Sequence, residues 1–153
     1  MAQIFPSDIE AAKASGESPE ELETLIALRD GLPDDCLVYH SVHWSAVRPK
    51  YTDFGEIDFV VVGGSGNVLV IEQKNGATIE SPHGLEKHYY GGKKQLVYTQ
   101  VQRNLGNLRK KFQKTNPQSP SLDVEYLIYC PDHRIVDGTS AGVDRARTID
   151  AHT

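Results

Sequence analysis

The sequence has few of the residues that build disulfide frameworks, zinc sites or membrane spans. Its only two cysteines, Cys36 and Cys130, lack the spacing of metal ligands. No apolar run approaches the roughly 20 residues that a membrane helix needs. The N-terminus has neither the basic segment nor the apolar core of a secretory signal. We therefore expect free thiols in a cytoplasmic protein that does not associate with membranes.

What the chain does contain is typical of one globular domain. Hydrophobic residues make up 39% of the 153 residues and charged residues 24%. A chain of this length can bury a core without a disulfide or a metal. We predict an N-terminal extension over residues 1–17, one domain over residues 18–135, and a C-terminal tail over residues 136–153. The tail has the character of a linker to a further domain.

The net charge of −5 is distributed unevenly along the chain. Residues 1–35 contain nine acidic and two basic residues, whereas residues 84–114 contain one acidic and eight basic residues. A basic segment of this kind is typical of a surface that contacts nucleic acid. A solvated helix face gives the same pattern, so charge alone leaves both interpretations open.

Turn residues and hydrophobic periodicity predict the order helix, strand, strand, strand, helix, strand. The first helix begins with Ser18 as N-cap and Pro19 at its first position, and it ends near Gly31. The strands are predicted over residues 36–44, 56–62, 67–74 and 124–130, the second helix over residues 93–114, and loops over residues 46–54 and 76–92. This order predicts an α/β fold with a central mixed sheet flanked by helices.

Four ionisable residues lie on the predicted hairpin, two on each strand. If residues 64–66 form its turn, Asp58 lies opposite Glu72 and Glu56 lies opposite Lys74, all on one face of the sheet. Directly opposed carboxylates repel each other. A bound Mg²⁺ or Mn²⁺ would turn that repulsion into coordination. The alternative is an ion pair between Glu56 and Lys74 that leaves Asp58 and Glu72 at a solvated edge.

The first hairpin strand reads Gly-Glu-Ile-Asp-Phe-Val-Val-Val over residues 55–62. The second reads Val-Leu-Val-Ile-Glu-Gln-Lys-Asn-Gly over residues 68–76. Together they resemble the nuclease-related domain (NERD) family, a branch of the PD-(D/E)xK phosphodiesterase superfamily. The family's later helix carries a Gln-x-x-x-Asn-x-x-x-Leu pattern, which fits Gln100, Asn104 and Leu108. The resemblance spans residues 18–135 and implies a restriction-endonuclease-like fold.

The resemblance also implies roles for individual residues. Asp58 matches the first metal carboxylate, and Glu72 and Lys74 match the E-x-K motif. Glu21 matches the glutamate of the first helix, with Glu20 and Glu23 as alternatives, and it would act either as a further metal ligand or as a capping-box residue. Gln100 would orient the lysine, a water or a phosphate. The implied cofactor is Mg²⁺ or Mn²⁺, held by Asp58 and Glu72.

We therefore predict a metal-dependent nuclease that hydrolyses phosphodiesters in nucleic acid, with DNA favoured. The domain is similar to one at the N-terminus of some superfamily 1 helicase-like proteins. A helicase in cis or in trans is the expected partner in DNA processing, repair or defence, and a homodimer would suit cleavage of both strands. The alternatives are a non-catalytic nucleic-acid-binding module of the same fold and a protein-interaction domain.

Three further groups of side chains bear on this prediction. Tyr89, Tyr90 and Tyr98 are candidates for stacking on bases, although core or rim positions are equally compatible with them. His40 and His43 would point to opposite faces of their strand, which disfavours a zinc site there. Five basic residues are predicted to contact the nucleic-acid backbone without reading sequence: Lys93, Lys94, Arg103, Lys110 and Lys111.

Overall fold

The computed structural model describes residues 1–76, 78–136 and 144–151. Within these residues the chain forms nine strands and three α-helices. They are β1 (Gln3–Phe5), α1 (Ile9–Ala14), α2 (Pro19–Gly31), β2 (Leu37–Val47), β3 (Thr52–Val62), β4 (Val68–Gln73), β5 (Thr78–Ser81), β6 (Gly84–His88), β7 (Lys94–Leu96), α3 (Val97–Thr115), β8 (Val124–Cys130) and β9 (Thr148–Asp150). The predicted start of α2 is confirmed, because the Ser18 hydroxyl accepts a hydrogen bond from the Glu21 amide.

Six strands form the main sheet in the order β1-β2-β3-β4-β8-β9. Strands β2, β3 and β4 form an antiparallel meander, while β1, β8 and β9 each run parallel to a neighbour. Helix α3 lies in the crossover that brings β8 alongside β4. The predicted central mixed sheet flanked by helices is therefore confirmed.

The predicted hairpin register is also confirmed. The Gly63 amide donates a hydrogen bond to the Asn67 carbonyl at 2.9 Å, and Phe59 pairs with Ile71 further along the two strands. The regular pairing of β3 with β4 ends at that position. Asp58 and Glu72 therefore lie just beyond the hydrogen-bonded part of the hairpin.

A hydrophobic core packs against each face of the main sheet. On one face, α1 and α2 cover a core that includes Leu22, Leu25, Val38, Phe59 and Ile71. On the other face, a second core includes Val60, Val70, Val97, Val101 and Ile128. Because both faces are buried, residues 59–62 of β3 and residues 68–71 of β4 are uninterrupted apolar runs in the sequence.

The prediction of loops over residues 46–54 and 76–92 is wrong in part. Strands β2 and β3 extend through most of residues 46–54, and residues 78–88 contain two strands of a separate three-stranded sheet, β5-β6-β7. The second helix begins at Val97 because residues 94–96 pair with β6. Strands β5, β6 and β7 are short and carry charged residues, so a pattern of hydrophobic alternation does not reveal them.

The chain termini also contribute strands that the sequence pattern does not predict. Strands β1 and β9 have three residues each, which is too short for a periodic pattern, and both lie at edges of the main sheet. Part of the predicted tail, residues 137–143 and 152–153, lies outside the described residues. The division into extension, domain and tail remains a prediction.

The thiols and the helices of the chain can be compared directly with the sequence analysis. Cys36 and Cys130 are buried free thiols, as predicted. Among the described residues, no helix combines the length and the apolar character needed to cross a bilayer.

Candidate functional site

A local irregularity shared by β2 and β3 shapes the candidate site. Ser41 and Asp58 lie opposite each other, between two regular pairs of the ladder. Ser41 adopts a φ of 58°, in the left-handed region. On β3 the alternation of faces is interrupted at the same place. Ile57 belongs to the core on the α3 side, whereas Phe59, two residues later, belongs to the core on the α2 side.

This interruption brings three carboxylates together. Glu21 extends from α2, while Glu56 and Asp58 come from β3, and their carboxylate oxygens lie within 4.8 Å of one another. The Ser41 hydroxyl donates a hydrogen bond to Glu56 Oε1 at 3.0 Å. With regular alternation, Glu56 would share the face of Val60, away from α2. The grouping of these acids therefore depends on the Ser41–Asp58 irregularity.

Glu72 and Lys74 form a buried pair at the end of β4. The Glu72 side chain has no exposed surface, and Lys74 Nζ lies 2.9 Å from Glu72 Oε1. Burial alone would lower the pKa of Lys74, but the Glu72 carboxylate, with Tyr89 and Asp58, raises that pKa above its ordinary value. Lys74 therefore stays protonated at the site.

The predicted pairing of Glu56 with Lys74 across the hairpin is wrong. Lys74 pairs with Glu72 on its own strand segment, and Glu56 is hydrogen-bonded to Ser41. There are two physical reasons. The pairing of β3 with β4 ends at Phe59 and Ile71, before it reaches residues 56 and 74, and the irregularity at Asp58 turns Glu56 toward α2.

Asp58 lies between the two groups of charges. Its Oδ2 accepts a hydrogen bond from the Gln73 amide at 2.8 Å. Burial, and then the neighbouring Glu72 carboxylate, raise the pKa of Asp58 to about 8. Burial also raises the pKa of Glu72, and Lys74 opposes that shift. At neutral pH, without a cation, this cluster therefore retains a proton on Asp58.

The donor set fits a hard divalent cation. Carboxylate oxygens are the ligands that Mg²⁺ and Mn²⁺ prefer. The two Glu72 oxygens are buried, and neither has a hydrogen bond of regular geometry among the residues described. A cation among these acids would supply the positive charge that Asp58 otherwise obtains from a proton.

His40 is a site residue that the sequence analysis missed. Its side chain is only 1% exposed, and its Nε2 lies 3.1 Å from Glu21 Oε1. Its ring packs on Phe59 with 5.1 Å between centroids. Strand alternation with the core residue Val38 could have identified an inward-facing histidine beneath α2.

Glu21 does not close a capping box with Ser18. The Glu21 carboxylate lies beside His40 and belongs to the acidic group. The Ser18 hydroxyl donates its hydrogen bond to Glu20 Oε2 instead, at 3.0 Å. The structure therefore rules out the capping-box alternative and places Glu21 beside Asp58, where a further metal ligand would lie.

Helix α3 carries two of the polar side chains that the resemblance singles out. Gln100 lies one turn before Asn104, and its buried Oε1 has no hydrogen-bond partner within the described part of the chain. Asn104 receives a hydrogen bond from Trp44 Nε1 at 2.8 Å and donates one to the Glu56 carbonyl at 3.1 Å. This contact ties α3 to the strand that carries the acids.

The five predicted basic residues lie in two parts of the chain: three are on α3, where Arg103 and Lys110 line one cleft with Arg48, and two are at the start of β7. Lys110 and Lys111 are exposed on α3, where they line a cleft of about 370 Å³ together with Arg48. Arg103 is held by Asp53 at 2.6 Å and lies over the Trp44 ring. The remaining two, Lys93 and Lys94, are exposed beside β7 in the smaller sheet.

Comparison with known proteins agrees with this architecture. No curated protein and no solved structure was found to match the chain. A family model described as nuclease-related domain (NERD) matches residues 16–131, which run from the start of α2 to the end of β8. This match covers most of the chain and includes Glu21, Asp58, Glu72 and Lys74. The chain therefore belongs to the nuclease-related domain family, in agreement with a place in the PD-(D/E)xK superfamily.

Proposed function

We propose that this domain is a metal-dependent nuclease that hydrolyses phosphodiesters in nucleic acid, with DNA favoured. The observation that carries the proposal is the position of Asp58. It lies between a buried Glu72–Lys74 pair and two further carboxylates, and its pKa is raised to about 8. Buried acids with strongly shifted pKa values beside a lysine are typical of catalytic centres.

The ligands proposed for Mg²⁺ or Mn²⁺ are Asp58 and Glu72, as the family resemblance implies. The acidic group around Asp58 supports adding Glu21 and Glu56 to that set. Such an ion, when bound, supplies Lewis acidity and lowers the pKa of water, so that a nucleophile exists at neutral pH. Four carboxylates provide more negative charge than one divalent ion neutralises, which suits close approach of Lys74 and of a second cation.

Lys74 would act on the substrate side of the site. Its ammonium is held at Glu72 Oε1, so it keeps its charge despite burial. From this position it would orient the attacking water and stabilise negative charge that develops on the phosphate. Gln100, whose buried Oε1 is unpartnered among the described residues, would accept a hydrogen bond from that water or from the lysine.

Nucleic acid is the proposed partner, contacted through the exposed lysines of α3. Lys110 and Lys111 lie along one cleft with Arg48, which suits contacts to successive phosphates that carry no sequence information. We retain DNA as the favoured substrate, a helicase as the favoured partner, a homodimer for cleavage of both strands, and a cytoplasmic location as parts of the proposal.

A cleavage assay tests the proposal directly. Supercoiled plasmid and labelled single strands are incubated with Mg²⁺, Mn²⁺ or EDTA, using wild-type protein and the variants Asp58→Asn and Lys74→Met. Matched controls are Glu125→Gln, an exposed acid on β8, and Lys13→Met, an exposed lysine on α1. We expect metal-dependent cleavage that both site variants lose and both controls retain.

The opposite outcome favours the non-catalytic alternative. If the folded wild-type protein cuts nothing with either metal but binds DNA with a steep salt dependence, the domain is a nucleic-acid-binding module. If it neither cuts nor binds, the protein-interaction alternative stands instead.

A further inference from the structure

The nuclease mechanism proposed above does not yet use His40, the buried histidine beneath α2. His40 is almost completely enclosed, yet it is polar, and its Nε2 makes a hydrogen bond to Glu21 at 3.1 Å. A buried polar side chain needs a partner, because a buried donor without one loses the hydrogen bond that water would otherwise provide. The partner of His40 is the Glu21 carboxylate, which belongs to the acidic group.

The direction of the hydrogen bond is fixed by its partner. A carboxylate only accepts hydrogen bonds, so Nε2 carries the hydrogen and donates to Glu21 Oε1. The other nitrogen, Nδ1, is buried and has no hydrogen bond among the residues described, and Glu17 Oε2 lies 3.7 Å from it. The ring is held in place by Phe59 at 5.1 Å.

The position of His40 in the sheet explains why it reaches Glu21. His40 is the residue immediately before Ser41, where the left-handed backbone interrupts β2. Phe59, its partner in the β2–β3 pairing, is the residue immediately after Asp58. The pair of His40 and Phe59 therefore directly adjoins the irregularity, and Asp58, which we propose as a metal ligand, lies within it on the neighbouring strand.

We propose that His40 is a positioning residue that holds Glu21 Oε1 and thereby directs the other oxygen of Glu21 toward Glu56 and Asp58. This inference rests on the proposed function, because its purpose is to orient a carboxylate for a cation. Residues that hydrogen-bond to metal ligands in this way typically change metal affinity 10–100-fold when they are removed.

A test without metal addresses the hydrogen bond itself. Nitrogen-15 NMR of the metal-free protein should show the His40 ring protonated on Nε2, with a shift that changes in Glu21→Gln. If the ring is protonated only on Nδ1, or if its shift is unaffected by Glu21→Gln, the proposal is overturned whether or not the protein cleaves DNA.

A test with Mn²⁺ addresses the consequence. We expect His40→Phe to weaken Mn²⁺ binding about tenfold or more by calorimetry. His40→Gln, whose amide can donate in place of Nε2, should recover much of the loss. In a Glu21→Gln background, His40→Phe should cause little further loss, because the carboxylate that it positions is gone. A purely structural histidine would give equal losses in both backgrounds.

The two proposals fail in different ways. If wild type binds Mn²⁺ and cleaves DNA while His40→Phe, shown to be folded by its thermal transition, binds equally well, the positioning role is wrong and the nuclease stands. If wild type binds no Mn²⁺, the nuclease proposal is overturned together with any role of His40 in metal binding. The NMR result then decides only whether the hydrogen bond exists.

Discussion

Ser41 faces Asp58 across β2 and β3, and its φ of 58° coincides with the point at which both strands change face. Without this irregularity, Glu56 would lie on the side of the sheet away from α2. A left-handed conformation costs a residue with a side chain roughly 1–2 kcal/mol. The chain therefore keeps a strained residue at the position that brings Glu21, Glu56 and Asp58 together.

Replacing Ser41 separates the strain from the hydroxyl group. We expect Ser41→Gly to be more stable than Ser41→Ala by about 1 kcal/mol, because both lose the hydrogen bond to Glu56 and only glycine relieves the strain. Urea denaturation measures the difference. Equal stability of the two variants would mean that the backbone at position 41 is not left-handed.

The raised pKa of Asp58 predicts how stability depends on pH. A carboxyl that binds its proton more tightly in the folded state stabilises the fold at pH values below about 4, where it is protonated in both states. This contribution is lost as the pH rises through the folded pKa of about 8. In EDTA, the free energy of unfolding should therefore decrease between pH 4 and 8 more steeply in wild type than in Asp58→Asn.

Mn²⁺ should reverse this trend, because the ion binds the deprotonated acids and stabilises the folded state by mass action. Denaturation curves at pH 5, 6.5 and 8, with and without Mn²⁺, provide the measurement. Parallel pH profiles for wild type and Asp58→Asn in EDTA would contradict the raised pKa.

Two glycines allow a matched test of packing around Trp44. A Cβ added to Gly55 would lie 2.2 Å from the Trp44 ring, whereas a Cβ added to Gly106, inside α3, would meet no atom within 4 Å. We expect Gly55→Ala to destabilise the protein by about 1–3 kcal/mol through overpacking. Gly106→Ala should stabilise it by about 0.5–1 kcal/mol through helix propensity. Thermal denaturation distinguishes the two, and destabilisation by Gly106→Ala would mean that α3 is packed differently.

Base stacking is expected at Tyr90 rather than at Tyr98. Tyr90 is fully exposed at the turn that carries Lys93 and Lys94, whereas the Tyr98 ring packs edge-on against Tyr126 at 6.3 Å. Removing one stacking ring typically costs about 1–3 kcal/mol. We therefore expect Tyr90→Ala to weaken binding of a labelled oligothymidine at least fivefold, and Tyr90→Trp to preserve it. Tyr51→Ala, at another exposed tyrosine, is the control. Equal affinity of Tyr90→Ala and wild type would mean that bases do not stack on Tyr90.

Much of the fold could be predicted because its signals are local. Ser18 and Pro19 mark the start of α2, and the glycine turn at residues 63–66 fixes the register of β3 with β4. Both faces of these strands are apolar, which predicts a sheet covered on both sides. The three-residue edge strands and the small sheet lack a periodic pattern, so sequence could not reveal them.

The candidate site could be predicted only in part, for a different reason. The hairpin spacing and the resemblance identified Asp58, Glu72 and Lys74 as site residues. Strand alternation, however, placed Glu56 opposite Lys74, whereas the structure places it beside Ser41. A left-handed serine inside a strand has no sequence signature, because serine is common in regular strands and turns alike. The role proposed for His40 depends on that same irregularity, so no sequence pattern connects His40 with Glu21.

The measurement that tests the account most directly is a calorimetric titration of the folded protein with Mn²⁺ at pH 7. Wild type, Asp58→Asn and the surface control Glu125→Gln are compared. We predict saturable binding to wild type and to the control, with uptake of the ion accompanied by proton release from Asp58, and no binding to Asp58→Asn. Absence of binding to wild type, or equal binding to all three proteins, would contradict the claim that the acids around Asp58 form a cation site.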